Sequence, residues 1–187
     1  AGDISRLYYK GNNLGFFAPC GYVAPNYYDK DGLGFLKSFT AGFFTTCGFA
    51  AVGSPCEDNG DVLGLHGTIG NTPAENVGHW VAADGIHVKL EVRDAYLFGN
   101  KYLLTREYIV PTDRDEIILR DTVKNIGDAE VPYMVLYHIN IGYPLLSEKS
   151  VVEINNKGVV ARSAAAEAGE QGKCGKGGTD IADGGRV

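Results

Sequence analysis

Ile86-His87-Val88-Lys89-Leu90-Glu91-Val92-Arg93 sets an apolar residue against a polar one at every second position. A repeat of two is that of a β-strand, whose side chains point alternately to opposite faces. Ile86, Val88, Leu90 and Val92 read as a buried face, and His87, Lys89, Glu91 and Arg93 as a wet one. His87 is therefore expected on the solvent side, without a functional role.

The pattern extends in both directions. Val77 to Ala82 reads as a preceding strand, joined across the turn Ala83-Asp84-Gly85. The central strand is expected to run on to Phe98, to turn at Gly99-Asn100 and to return over Lys101 to Val110. Asp115 to Asn125 follows, with Ile117, Leu119 and Val123 on one face and Arg120, Thr122 and Lys124 on the other. Asn125-Ile126-Gly127-Asp128 turns the chain into a further strand, Val131 to Asn140. Five successive strands spaced by turn residues, with no convincing helical period, predict an all-β antiparallel β-sandwich.

The flanks are less regular. Residues 1–34 interleave short aromatic groups with turns, and Pro19 and Pro25 oppose helix there. Tyr27-Tyr28 suits either plain packing or stacking on a sugar. Leu33 to Thr46, carrying Phe35, Phe39, Phe43 and Phe44, favours strand over helix. One more strand is expected over Val151 to Val160 and a helical turn over Ala164 to Ala168. Gly169 to Val187 has few apolar side chains to offset its ordering entropy and reads as disordered or loosely attached. The domain is accordingly expected over residues 1–162, with a glycine-rich tail over 163–187.

Composition excludes several classes. A formal net charge of −6 without a basic stripe argues against nucleic acid. No run approaches the roughly 18 apolar residues that span a bilayer, and no signal-peptide pattern opens the chain, so a cytoplasmic protein that does not engage membranes is expected. Cys20, Cys47, Cys56 and Cys174 form no C-x-x-C pair and no zinc spacing, so reduced thiols are expected. Cys47 and Cys56 flank the central loop, where either a reactive thiol or a small buried hydrophobe is possible. No nucleophile elbow, phosphate loop or dinucleotide fingerprint is present, and no cofactor is implied.

Two segments carry chemistry. Thr45 to Ala74 is a long glycine-rich stretch that holds Leu65-His66-Gly67 and the carboxylates Glu57, Asp58 and Asp61. Long loops of this kind are often functional, and a glycine beside the imidazole lets a backbone or a ligand approach closely. The second segment is Val135-Leu136-Tyr137-His138-Ile139-Asn140-Ile141-Gly142-Tyr143-Pro144, a histidine at the end of an apolar run. Together they resemble the aldose 1-epimerase (galactose mutarotase) superfamily, and within it the bacterial branch labelled "aldose 1-epimerase family protein". The likeness covers residues 3–162, through Thr45-Thr46-Cys47-Gly48, Pro55-Cys56-Glu57-Asp58, Gly64 to Ala74 and Tyr137 to Leu146.

That resemblance implies a cofactor-free site that interconverts sugar anomers by acid–base ring opening. His138 would be the acid at the ring oxygen, and His66 would bind or polarise a neighbouring oxygen. A histidine with a pKa of about 6.5 suits the acid role near neutrality. Asn71, Asn140 and Tyr143 stand at motif positions and are candidates for holding the sugar; turn chemistry explains them equally well. The superfamily's base is a glutamate near its C-terminus, for which no residue here stands, so the chain is expected to be a fragment. Glu57, Asp58, Asp61 or Glu148 are the other carboxylates near the motifs. The alternative is a non-catalytic carbohydrate-binding protein on the same fold. A metal site on His66, His138 and the acidic loop is a weaker idea that no spacing demands. The partner is thus a small-molecule sugar, and oligomeric state is left open. All of this requires His66 and His138 to meet in one open cleft and grip one hexose.

Overall fold

The computed structural model describes residues 1–171 apart from Val152, Ile154, Asn156, Lys157, Val159 and Arg162. It divides into two units, Ala1–Pro144 and a second that begins at Leu145. Within the second, Ser150 Oγ donates to the Leu145 carbonyl at 2.7 Å, and the helical turn expected after Arg162 is an eight-residue helix α1 (Ala164–Gln171). The rest of the expected disordered tail and half of the strand expected over 151–160 fall outside the described residues.

The first unit is built of antiparallel strands in a sandwich-like arrangement. Its N-terminal part contributes short pieces, β1 (Tyr8–Tyr9), β2 (Asn12–Asn13), β3 (Phe16–Phe17) and β4 (Ala41–Gly42), followed by β5 (Phe44–Phe49). A small hairpin, β6 (Cys56–Asp58) with β7 (Asp61–Leu63), precedes the main strands. These are β8 (Ala74–Ala82), β9 (Gly85–Ala95), β10 (Lys101–Val110) and β11 (Ile118–Asn125), and β12 (Met134–Ile139) follows them. The sheet order β11-β10-β9-β8 is that of three successive hairpins. β12 leaves this sheet and pairs with β5, nearly ninety residues earlier.

The hydrophobic core joins these two groups. Leu90 and Val92 of β9 and Tyr102, Leu104 and Tyr108 of β10 pack with Phe49 of β5 and Ile69 of the central loop. Leu90 and Val92 supply the β9 side of that core as the sequence pattern predicts, and Val88 packs partly buried against it. Ile86, expected on the same buried face, is 41% exposed, because it lies at the hairpin end of the sheet beside the exposed Val81.

Three local expectations are corrected. Leu33 to Thr46 is not one strand: Gly34–Lys37 forms a 3-10 turn, and extended structure begins only at Ala41. Asp29 makes the reason plain, because it accepts from the Asp31 amide at 3.0 Å and pairs with Lys37 at 2.7 Å, closing the chain locally. Tyr96, Leu97 and Phe98 do not extend β9 but form its exposed turn, held by the Gly99 amide donating to the Tyr96 carbonyl at 3.2 Å. His87, expected to be wet, is only 7% exposed. It does share the outer face with its cross-strand partner Trp80, and that indole stacks on it at 4.9 Å and shields it.

Arg106 fastens the two groups of strands. It falls on the buried parity of β10, beside Leu104 and Tyr108, and is 0% exposed. Its Nε and Nη2 grip Asp121 of β11 at 2.9 and 2.7 Å, Nη1 donates to Asp3 at 2.5 Å, and Nη2 also reaches Thr46 Oγ1 of β5 at 2.7 Å. Burial alone would lower its pKa, but the Asp121 hydrogen bonds and neighbouring charges keep the guanidinium firmly protonated. Tyr137 of β12 donates to Asp121 at 3.0 Å, so the strand bearing His138 is tied to the same node.

Candidate functional site

The central loop is laid along β5 by backbone hydrogen bonds. The Gly48 amide donates to the His66 carbonyl at 3.0 Å, the Thr68 amide donates to the Gly48 carbonyl at 3.1 Å, and Gly48 and Gly67 form a parallel bridge. This approach requires the glycine read from Leu65-His66-Gly67. A Cβ at Gly67 would lie 2.6 Å from the Ala51 carbonyl oxygen and collide with that of Gly48. Tyr28 Oη donates to the Gly67 carbonyl at 2.9 Å and holds the loop from its other flank.

His66 itself has a positive φ of 61°, an uncommon backbone state for a side-chain-bearing residue. Its amide donates to the Gly53 carbonyl at 3.0 Å, while the Gly53 amide donates to its Nδ1 at 3.3 Å. An amide can only donate, so Nδ1 is bare and the ring's proton sits on Nε2.

His138 comes from the opposite partner of the same strand pair, directly across from Thr45. The two imidazoles meet edge to face, with centroids 5.7 Å apart and planes at 79°. Both residues are half-buried. Phe35 sits edge-on to His66 at 5.3 Å, Phe39 edge-on to His138 at 5.4 Å, and the two phenyl rings touch at 5.0 Å. Four rings thus form one continuous aromatic cluster. His138 Nδ1 is buried with no hydrogen-bond partner among the described residues.

The arrangement differs from the expected grip in one respect. Rings in direct contact leave no gap for a pyranose, so the pair forms a single face rather than two jaws.

The candidate sugar-holding residues divide. Asn71 accepts from Ser38 Oγ at 3.1 Å and lines a cavity of about 220 Å³ together with Phe35, Phe39 and Thr45. That cavity is bounded by the aromatic partners of the histidines rather than by the imidazoles. Asn140 Nδ2 donates to the Ala41 and His138 carbonyls, both at 3.1 Å, so its amide fixes the end of β12 against β4. Tyr143 is 81% exposed and makes no ring contact or hydrogen bond among the described residues. Glu57, Asp58 and Asp61 lie on the exposed β6–β7 hairpin.

Two readings of the thiols are now separable. Cys47 is fully buried on β5, and burial pushes its thiol up to about 12, so it is inert packing; Cys56 is exposed. Among the described residues no group of three His, Cys, Asp or Glu side chains is placed to hold a metal ion. No described helix is long and apolar enough to cross a membrane.

Residues 1–177 match a family described as a domain of unknown function, DUF4432. The chain belongs to the DUF4432 family. No curated protein and no solved structure matches it. In this DUF4432 chain the match takes in both histidine segments, the Arg106 node and the whole four-stranded sheet.

Phe35 and Phe39 were not singled out as site residues in the sequence, although their four-residue spacing was visible. That spacing signals a shared face only if the segment turns, and the strand reading hid it.

Proposed function

We propose that this chain binds an aldose and interconverts its anomers, with His138 as the acid at the ring oxygen and His66 binding or polarising a neighbouring oxygen. The observation that carries the reading is the contact between two imidazoles from segments 72 positions apart, at 5.7 Å between centroids. Both imidazoles are half-buried rather than sealed, which leaves part of each residue at the surface beside the phenyl cluster. The Gly53 amide, donating to His66 Nδ1 at 3.3 Å, helps to orient that imidazole in the loop. Because the rings form one face, they address adjacent oxygens of the sugar from the same side. The C1 hydroxyl proton then passes to a water acting as base from the opposite side, the ring opens as His138 protonates the ring oxygen, and reclosure returns both protons.

A non-catalytic carbohydrate-binding role is the second reading. It is favoured by the carboxylates nearest the motif in sequence, Glu57, Asp58 and Asp61, all standing exposed on a hairpin rather than packed in the ring cluster. NMR exchange at the anomeric position, run over several aldoses, separates the two. Acceleration above the buffer rate for at least one aldose supports the enzyme. Sugar-dependent thermal stabilisation with no acceleration supports the binding protein.

A further inference from the structure

A separate cavity of about 490 Å³ lies elsewhere in the first unit, within the size range of small-molecule sites. The histidine loop supplies one wall through Gly67 and Thr68, while Tyr28, Tyr96, Tyr102 and Asp94 supply others. Neither imidazole lines it.

Asp94, at the end of β9, is the distinctive group. Thr68 Oγ1 donates to its Oδ2 at 2.7 Å, and burial raises its pKa against that single favourable hydrogen bond. No cation pairs with it among the described residues. A half-buried carboxylate without a counter-charge is stabilised by further donors. The hydroxyls of Tyr28 and Tyr102 are already engaged, donating to the Gly67 and Pro132 carbonyls, so both residues offer the cavity their ring carbons. Tyr96 adds an exposed ring and Asn100 an amide with both donor and acceptor capacity. Lys30, Asp31 and Asp61 also line the cavity, but they are solvent-exposed and their fields are screened.

Apolar ring faces beside hydrogen-bond acceptors match a ligand with a C–H face and several hydroxyl donors. We infer that this cavity is a second carbohydrate site, holding a neutral pyranose unit with Asp94 and Asn100 on its hydroxyls and Tyr96 against its C–H face. The inference rests on the sugar-binding reading of the histidine pair only for the ligand class, and the two stand on different residues.

Saturation-transfer NMR on the full chain tests it, with D-glucose, D-galactose, maltose and lactose as probes and putrescine as an amine control. At least one sugar is expected to bind the full chain, and its Kd to rise at least fivefold in Asp94→Asn and in Tyr96→Ala. Tyr96 is 62% exposed, so its variant decides the matter should Asp94→Asn fail to fold. Unchanged binding in the variants that fold overturns the inference, as does binding of putrescine alone or of none of the four sugars. Binding abolished by His138→Ala but kept by Tyr96→Ala also overturns it, while leaving the anomer-exchange proposal intact. Conversely, Tyr96-dependent binding in a protein that accelerates no anomeric exchange sustains this site and removes the proposed activity.

Discussion

Two polar clusters sit within one strand pair of each other and are finished very differently. Around Arg106 every part of the guanidinium has a partner: Nε and Nη2 on Asp121, Nη1 on Asp3, and Nη2 also on Thr46. Around His66 and His138 the side chains are packed by phenyl edges, and one buried ring nitrogen, Nδ1 of His138, has no hydrogen-bond partner among the described residues. Saturated hydrogen bonding makes a fixed joint, whereas the histidine pair is held by ring packing, with one buried ring nitrogen left without a described partner. The joint holds the site in place, because Thr46 and Tyr137, which contact the Arg106 node, are register neighbours of Thr45 and His138.

Four substitutions test that contrast. The largest effect is expected from His138→Ala, which under the proposed function lowers the rate of anomeric exchange by about 10²–10⁴-fold while the melting temperature stays close to wild type. Lost folding instead would make His138 part of the packing, and the contrast with Arg106 would vanish. Arg106→Ala is expected to act on stability, leaving Asp3 and Asp121 without their cation at a cost of about 3–5 kcal/mol, measurable by urea denaturation. A shift below 1 kcal/mol would show that the node is not the joint described.

Gly67→Ala combines a left-handed φ of 69° with the collision against Gly48 and Ala51. At least about 1–2 kcal/mol of stability should be lost from the backbone alone. The NMR signature of the histidine loop should shift with it. An unperturbed His66 environment in this variant would contradict the close approach of loop and strand.

The smallest effect concerns a third polar group, His87. Its two ring nitrogens face Asp84 at 2.8 Å and Glu107 at 3.0 Å, and the Glu107 and Asp84 hydrogen bonds raise its pKa. A raised folded-state value means its stabilisation is complete below the unfolded value of about 6.5. It is lost as pH rises through the higher folded value. His87→Gln should flatten the stability profile across that window, and a wild-type profile already flat there would remove the pairing.

The sheet was readable because its information is local. Each hairpin joins neighbours in sequence, and the period of two in β9 assigns the core face before any contact is known. Arg106 was equally visible in principle, since Tyr102, Leu104, Arg106 and Tyr108 share parity, and a charge on a buried parity demands partners. The burial of His87 was not readable, because it depends on Trp80 folding over an edge of the sheet rather than on which face the residue occupies. The meeting of the two histidines depends on pairing β5 with β12, nearly ninety residues apart, and no spacing rule encodes that. Family likeness suggested it, and likeness also suggested Tyr143 and Asn140. Asn140 instead secures backbone, and the Tyr143 ring stands in solvent.

The backbone at His66 constrains how its side chain can be probed by mutagenesis. With φ at 61°, asparagine, aspartate and glycine are the replacements that accept the same conformation, while valine, isoleucine or threonine would force the chain elsewhere. A saturation library at this codon would therefore report mainly on main-chain tolerance. His66→Asn is the informative exchange, because it deletes the imidazole and leaves the trace of the loop as it was.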